Sequence, residues 1–120
     1  MDSSEKLKLA LQTALDKKAE DPVVIDLRGL TSIADYFLIV TASSDTHART
    51  IAEEIKRKLK EQGVQPVSVE GLDNASWILL DYGDLIVHVF RPETRELYSI
   101  ESLWMDAPHI KPEELLPQQQ

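Results

Sequence analysis

The stretch Val69–Arg91, VEGLDNASWILLDYGDLIVHVFR, decides the fold. Its two apolar runs, Trp77 to Leu80 and Leu85 to Phe90, are the most β-branched and aromatic in the chain. Asp81-Tyr82-Gly83-Asp84 between them places a glycine where a positive φ carries no steric cost, and the pattern predicts a β-hairpin. Side chains alternate across a strand, so Trp77, Leu79 and Asp81 share one face and Ile78, Leu80 and Tyr82 the other. Both faces are apolar up to the turn. One must pack under helices; the other meets something else, and an indole beside a carboxylate on a strand suits a protein partner. On spacing alone Trp77 fits a core position as well as a partner contact.

Working outward, Val67 to Glu70 reads as the preceding strand, with Gly71 to Ala75 as the loop into the hairpin. Upstream of it, Ser44 or Asp45 caps a helix whose stripe Ala48, Ile51, Ala52, Ile55 and Leu59 has helical spacing and which Gly63 stops. Lys56, Arg57, Lys58 and Lys60 load the last turns of that helix, where its dipole favours cations. That placement explains the cluster without nucleic acid. Tyr36 to Thr41 and Val23 to Leu27 are short apolar strands, and Leu7, Ala10, Leu11, Ala14 and Leu15 mark a first amphipathic helix capped by Ser3 or Ser4 and ending near Glu20. Downstream, Pro92 opens a final helix with Ile100, Leu103 and Trp104 as apolar anchors. Residues 107–120, with prolines at 108, 112 and 117 and three terminal glutamines, read as a poorly ordered tail after a domain spanning 1–106. This order predicts a single α/β domain, one mixed sheet of about five strands with helices mainly on one face.

The net charge is −8, and it is unevenly placed. From Val64 onward stand 10 acidic residues and only three basic ones, Arg91, Arg95 and Lys111, so the carboxyl half repels phosphate backbones and attracts basic protein surfaces. Specific nucleic-acid binding is not expected. The absence of cysteine excludes disulfides, thiolate zinc sites and cysteine nucleophiles. No apolar run is long enough for a bilayer and the charged start MDSSEKLKLA is no signal peptide, which predicts a soluble cytoplasmic protein.

Catalytic groups do not converge in the sequence. His47, His88 and His109 have no metal-ligand spacing, the four glycines are scattered, and His88 among valines reads as a half-buried sheet residue. One strand-turn-helix, Val40-Thr41-Ala42-Ser43-Ser44-Asp45, resembles a nucleotidyltransferase metal site, but glycine is missing and His47 stands where the second carboxylate belongs. No catalytic, cofactor-binding or metal-ligating residue is therefore assigned, and a degenerate nucleotidyltransferase-like enzyme is the rival reading.

Asp35-Tyr36-Phe37, Ser43-Ser44-Asp45 with His47, Val69-Glu70-Gly71, Trp77 through Asp84, Val87-His88-Val89-Phe90, Arg95-Glu96-Leu97-Tyr98 and Leu103-Trp104 together resemble the bacterial ribosomal silencing factor, or Iojap, family. The resemblance runs in order over roughly residues 5 to 106. It implies a fold related to nucleotidyltransferases without their activity, and no cofactor. It also implies binding to large-subunit ribosomal protein fourteen (uL14), a block on subunit joining that represses translation when nutrients are short, and a homodimer when free. Carried over by residue, the binding surface falls on Glu70, Gly71, Asp73, Ala75, Trp77, Leu79, Asp81 and Asp84, with the Trp77 indole exposed.

Overall fold

The hairpin forms as its sequence demands: β4 (Trp77–Asp81) and β5 (Leu85–Phe90) pair antiparallel, Trp77 against Phe90 and Asp81 against Ile86. Gly83, at φ +86°, makes the turn, and its N–H donates to the Asp81 carboxylate at 2.7 Å. The computed structural model describes residues 1–117; the last three glutamines of the expected tail lie outside them. Along those residues run α1 (Ser3–Asp16), β1 (Glu20–Asp26), β2 (Tyr36–Thr41), α2 (Asp45–Glu61), β3 (Ser68–Glu70), the hairpin, α3 (Pro92–Tyr98), α4 (Ile100–Leu103), β6 (His109–Ile110) and α5 (Pro112–Leu115).

All six strands join one sheet in the order β3-β4-β5-β2-β1-β6. Only β2 and β5 are parallel, and they form its centre; every other pair is antiparallel. Both central strands are buried along their whole length, as their uninterrupted apolar runs require. One face carries Leu38, Val40, Ile78, Leu80, Val87 and Val89 against Leu7 and Leu11 of α1 and Ile51, Ile55 and Leu59 of α2. The other carries Ile25, Phe37, Ile39, Ile86 and Phe90, with Ile100, Trp104 and Ala107 laid over it. The expected mixed α/β architecture, with the long helices on one side, is what forms.

The ends of elements show where local chemistry overrode pattern. Asp2, and neither Ser3 nor Ser4, caps α1, through a reciprocal pair of hydrogen bonds with Glu5. That helix stops at Asp16, earlier than Glu20, because Lys18 turns left-handed at φ 68° and Ala19 N–H reaches back to the Ala14 carbonyl. Ser44 caps α2 by accepting from His47 N–H. The final helix breaks at Ser99, φ 44°, into α3 and α4, so Leu103 is 76% exposed and anchors nothing, while Ile100 and Trp104 do pack on the sheet.

The reading of 107–120 as a poorly ordered tail needs correction for residues 107–117. β6 pairs with β1, Val24 opposite Ile110, and Asp26 N–H donates to the Pro108 carbonyl at 2.8 Å. Ile110, Leu115 and Leu116 then pack against the helix-side core. Prolines are tolerated here because β6 is an edge strand and Pro112 occupies a first helical turn that needs no N–H partner.

Candidate protein-binding surface

Gly71 shapes the loop between β3 and β4. At φ +85° it runs so close to the next strand that a Cβ would stand 2.0 Å from the Trp77 carbonyl oxygen, so no other residue fits. The loop closes on itself where Ala75 N–H donates to Gly71 O at 2.8 Å. From α2, the Arg49 guanidinium holds it: Nε donates to Leu72 O at 2.9 Å and Nη2 to Asp73 O at 2.6 Å. Sequence reasoning did not find Arg49; its only signal was a lone arginine set apart from the cationic end of α2.

The loop delivers the chain into β4 with Trp77 on the sheet face away from the long helices. The indole is half-buried, correcting the expectation of an exposed side chain. Its Nε1 donates to His88 Nδ1 at 3.1 Å, and its ring stacks on Phe90 at 4.9 Å and lies 5.0 Å from the Tyr98 ring of α3. His88 is 4% exposed and burial pushes its imidazole down to about 4, so it is neutral near pH 7 and accepts from the indole. Accepting at Nδ1 puts the proton on Nε2, which has no partner among the described residues.

The expected partner-binding residues divide. Glu70, opposite Leu79 in the β3–β4 pair, is exposed beside half-buried Leu79, and Trp77 is two residues along the same face. Gly71 and Asp73 are exposed on the loop above them. Asp81 is half-buried and holds the hairpin turn. Ala75 is not available: it is 0% exposed, at φ 62°, inside the helix-side core. Asp84 is drawn the other way, to Lys6 of α1 at 3.0 Å, and does not rim the indole.

The degenerate catalytic motif is occupied by structural bonds. Asp45 receives Arg91 Nη1 at 2.5 Å. His47 accepts from Ser43 N–H at Nδ1, 2.9 Å, which leaves Nε2 to donate to Lys17 O at 2.7 Å, tying the start of α2 to the end of α1. Among the described residues no three histidine or carboxylate side chains converge as metal ligands.

A family model described as "Ribosomal silencing factor during starvation" matches residues 1–120. The chain belongs to the ribosomal silencing factor family. A ribosomal silencing factor of Bacillus subtilis is 44% identical over 108 residues, spanning 90% of this chain and 92% of that one. A crystal structure of a Chromobacterium violaceum protein superposes with a TM-score of 0.85 at 37% identity, covering 88% of each chain. A longer mouse relative, named mitochondrial assembly of ribosomal large subunit protein 1, is 32% identical over 73% of this chain and 40% of its own. The recognition made from the sequence motifs therefore holds, and this member of the ribosomal silencing factor family carries its half-buried tryptophan at the start of β4, just past a loop pinned by Arg49.

Proposed function

We propose that this chain binds the large ribosomal subunit through ribosomal protein fourteen and prevents the small subunit from joining, by occupying space and without covalent chemistry. The observation that carries the reading is the β3–β4 surface: an apolar contact at Trp77 and Leu79, fixed by Gly71 and Arg49, edged by the exposed carboxylates of Glu70 and Asp73. An apolar centre with a charged rim gives contact area and electrostatic steering towards a basic protein. The mouse relative is named for the large ribosomal subunit, which supports the same target. The nucleotidyltransferase-like enzyme gains nothing from the geometry, since Asp45 and His47 are both committed to protein partners. The setting is the cytoplasm, and self-association of the free chain belongs to the same reading.

The test is subunit joining in a sucrose gradient. Large subunits preincubated with the protein should fail to form joined ribosomes on addition of small subunits, and Glu70→Lys with Asp73→Lys should restore joining. Undiminished joining at saturating wild-type protein would reject the proposal.

A further inference from the structure

The elbow between α3 and α4 is a surface that nothing above uses. Its break at Ser99 is braced from below by Arg95, whose guanidinium donates to Glu101 at 2.7 Å, to the Thr41 hydroxyl at 2.7 Å and to the Asp21 carbonyl at 2.8 Å. Ile100 and Trp104 point inward to the sheet. Outward stand Leu97 at 77% exposure, Tyr98 at 55%, Leu103 at 76% and Met105 at 73%, half of the exposed large apolar side chains among the described residues. Folding leaves these groups in water while Ile100 and Trp104 of the same short stretch pack, partly buried, on the sheet, and such a concentration marks a contact surface. The 5.0 Å approach of the Tyr98 and Trp77 rings joins the elbow to the β3–β4 surface.

Charge selects the occupant. Between residues 70 and 106 the only cations are Arg91 and Arg95, and both are held in ion pairs, with Asp45 and Glu101. Glu93, Glu96 and Asp106 are exposed around the elbow, and Glu70 and Asp73 extend the acidic rim past Trp77. A second copy would set carboxylates against carboxylates. We infer that the α3–α4 elbow is a docking surface for a basic protein, one that offers an apolar patch edged by lysine or arginine, and that it enlarges the Trp77 contact into one interface. This rests on the ribosomal reading, with a basic ribosomal protein as the occupant.

The experiment measures affinity for purified large subunits by sedimentation, with urea midpoints and sedimentation velocity of the free proteins. Leu103→Ser with Met105→Ser should weaken binding at least tenfold at an unchanged midpoint. The matched pair Leu30→Ser with Ile33→Ser, exposed apolar residues elsewhere, should leave affinity unchanged. Glu96→Lys with Asp106→Lys, which touches no packed group, should weaken binding and flatten its dependence on salt. Wild-type protein that does not bind large subunits would remove the ribosomal reading and this inference with it. Wild-type binding that both elbow pairs leave intact overturns the elbow alone, as would loss of self-association with subunit affinity retained, which would give the elbow to a second copy.

Discussion

Trp77→Ala should damage both stability and binding, because the indole is built into the sheet and also reaches its surface. A tryptophan buries about 150–250 Å², and half of that at roughly 25 cal/mol per Å² amounts to about 2–3 kcal/mol. Loss of the rings stacked against Phe90 and Tyr98 adds about 1 kcal/mol or more, and His88 Nδ1 left without its donor adds about 1 kcal/mol. The sum, about 4–5 kcal/mol, is a large share of the ~5–15 kcal/mol that holds a domain folded. Trp77→Phe keeps an aromatic face on Phe90 and loses mainly the hydrogen bond, so it should cost only about 1–2 kcal/mol. Urea midpoints of the three proteins measure this, and large-subunit affinity, corrected for the folded fraction, should fall by about 2–4 kcal/mol for the alanine variant and far less for phenylalanine. An alanine variant as stable as wild type would refute the packing account. If its folded fraction bound large subunits normally, Trp77 would be a structural residue only.

The remaining predictions concern the same neighbourhood. The His88 imidazole titrates near 6.5 when unfolded and about 4 when folded, so the unfolded chain takes up the proton first as pH falls. Its contribution to stability is complete above pH 6.5 and is lost on the way down to about pH 4, by up to about 3 kcal/mol. Comparing urea midpoints of wild type and His88→Gln across that window isolates the effect from the carboxylates; parallel pH profiles would contradict it. Gly71→Ala should cost about 3 kcal/mol or more, from the Cβ clash with the Trp77 carbonyl together with the left-handed backbone. An unshifted melting temperature would show that the loop can re-route.

What the sequence made legible depended on whether the determining interaction was local. The hairpin, β2 and α2 were readable because alternation, a helical stripe, Gly83 and the Ser44 cap all lie within the elements they specify. Ser99 could not be read as a break, since a serine in the left-handed region carries no mark that a glycine would. The β6 strand was hidden by the prolines on either side of it, whose tolerance follows from an edge position known only once the sheet is assembled. The surface was harder still. Ala75 entered the contact surface with the rest of its loop through the family resemblance, whereas its backbone turns left-handed and the residue lies in the core. Asp84 looked like part of the acidic rim, but its partner Lys6 lies at the far end of the chain. Trp77 was correctly placed on the face away from Ile78 and Leu80, yet alternation gives the side of a sheet and not the depth of a side chain beneath its neighbours.

The two margins of the sheet are finished differently. At one, β3 is three residues long and ends on exposed Glu70 at the acidic loop, so a foreign strand finds little length to extend and a charge in the way. At the other, β1 is seven residues long, with Val23, Val24 and Ile25 along it. Left bare, that rim would template pairing with another chain. The two residues of β6 cover Val24 and Ile25, and the Pro108 carbonyl takes the Asp26 N–H. The proline-rich end of the chain thus serves as a selvage, sealing the side of the protein where strand-to-strand aggregation would otherwise begin.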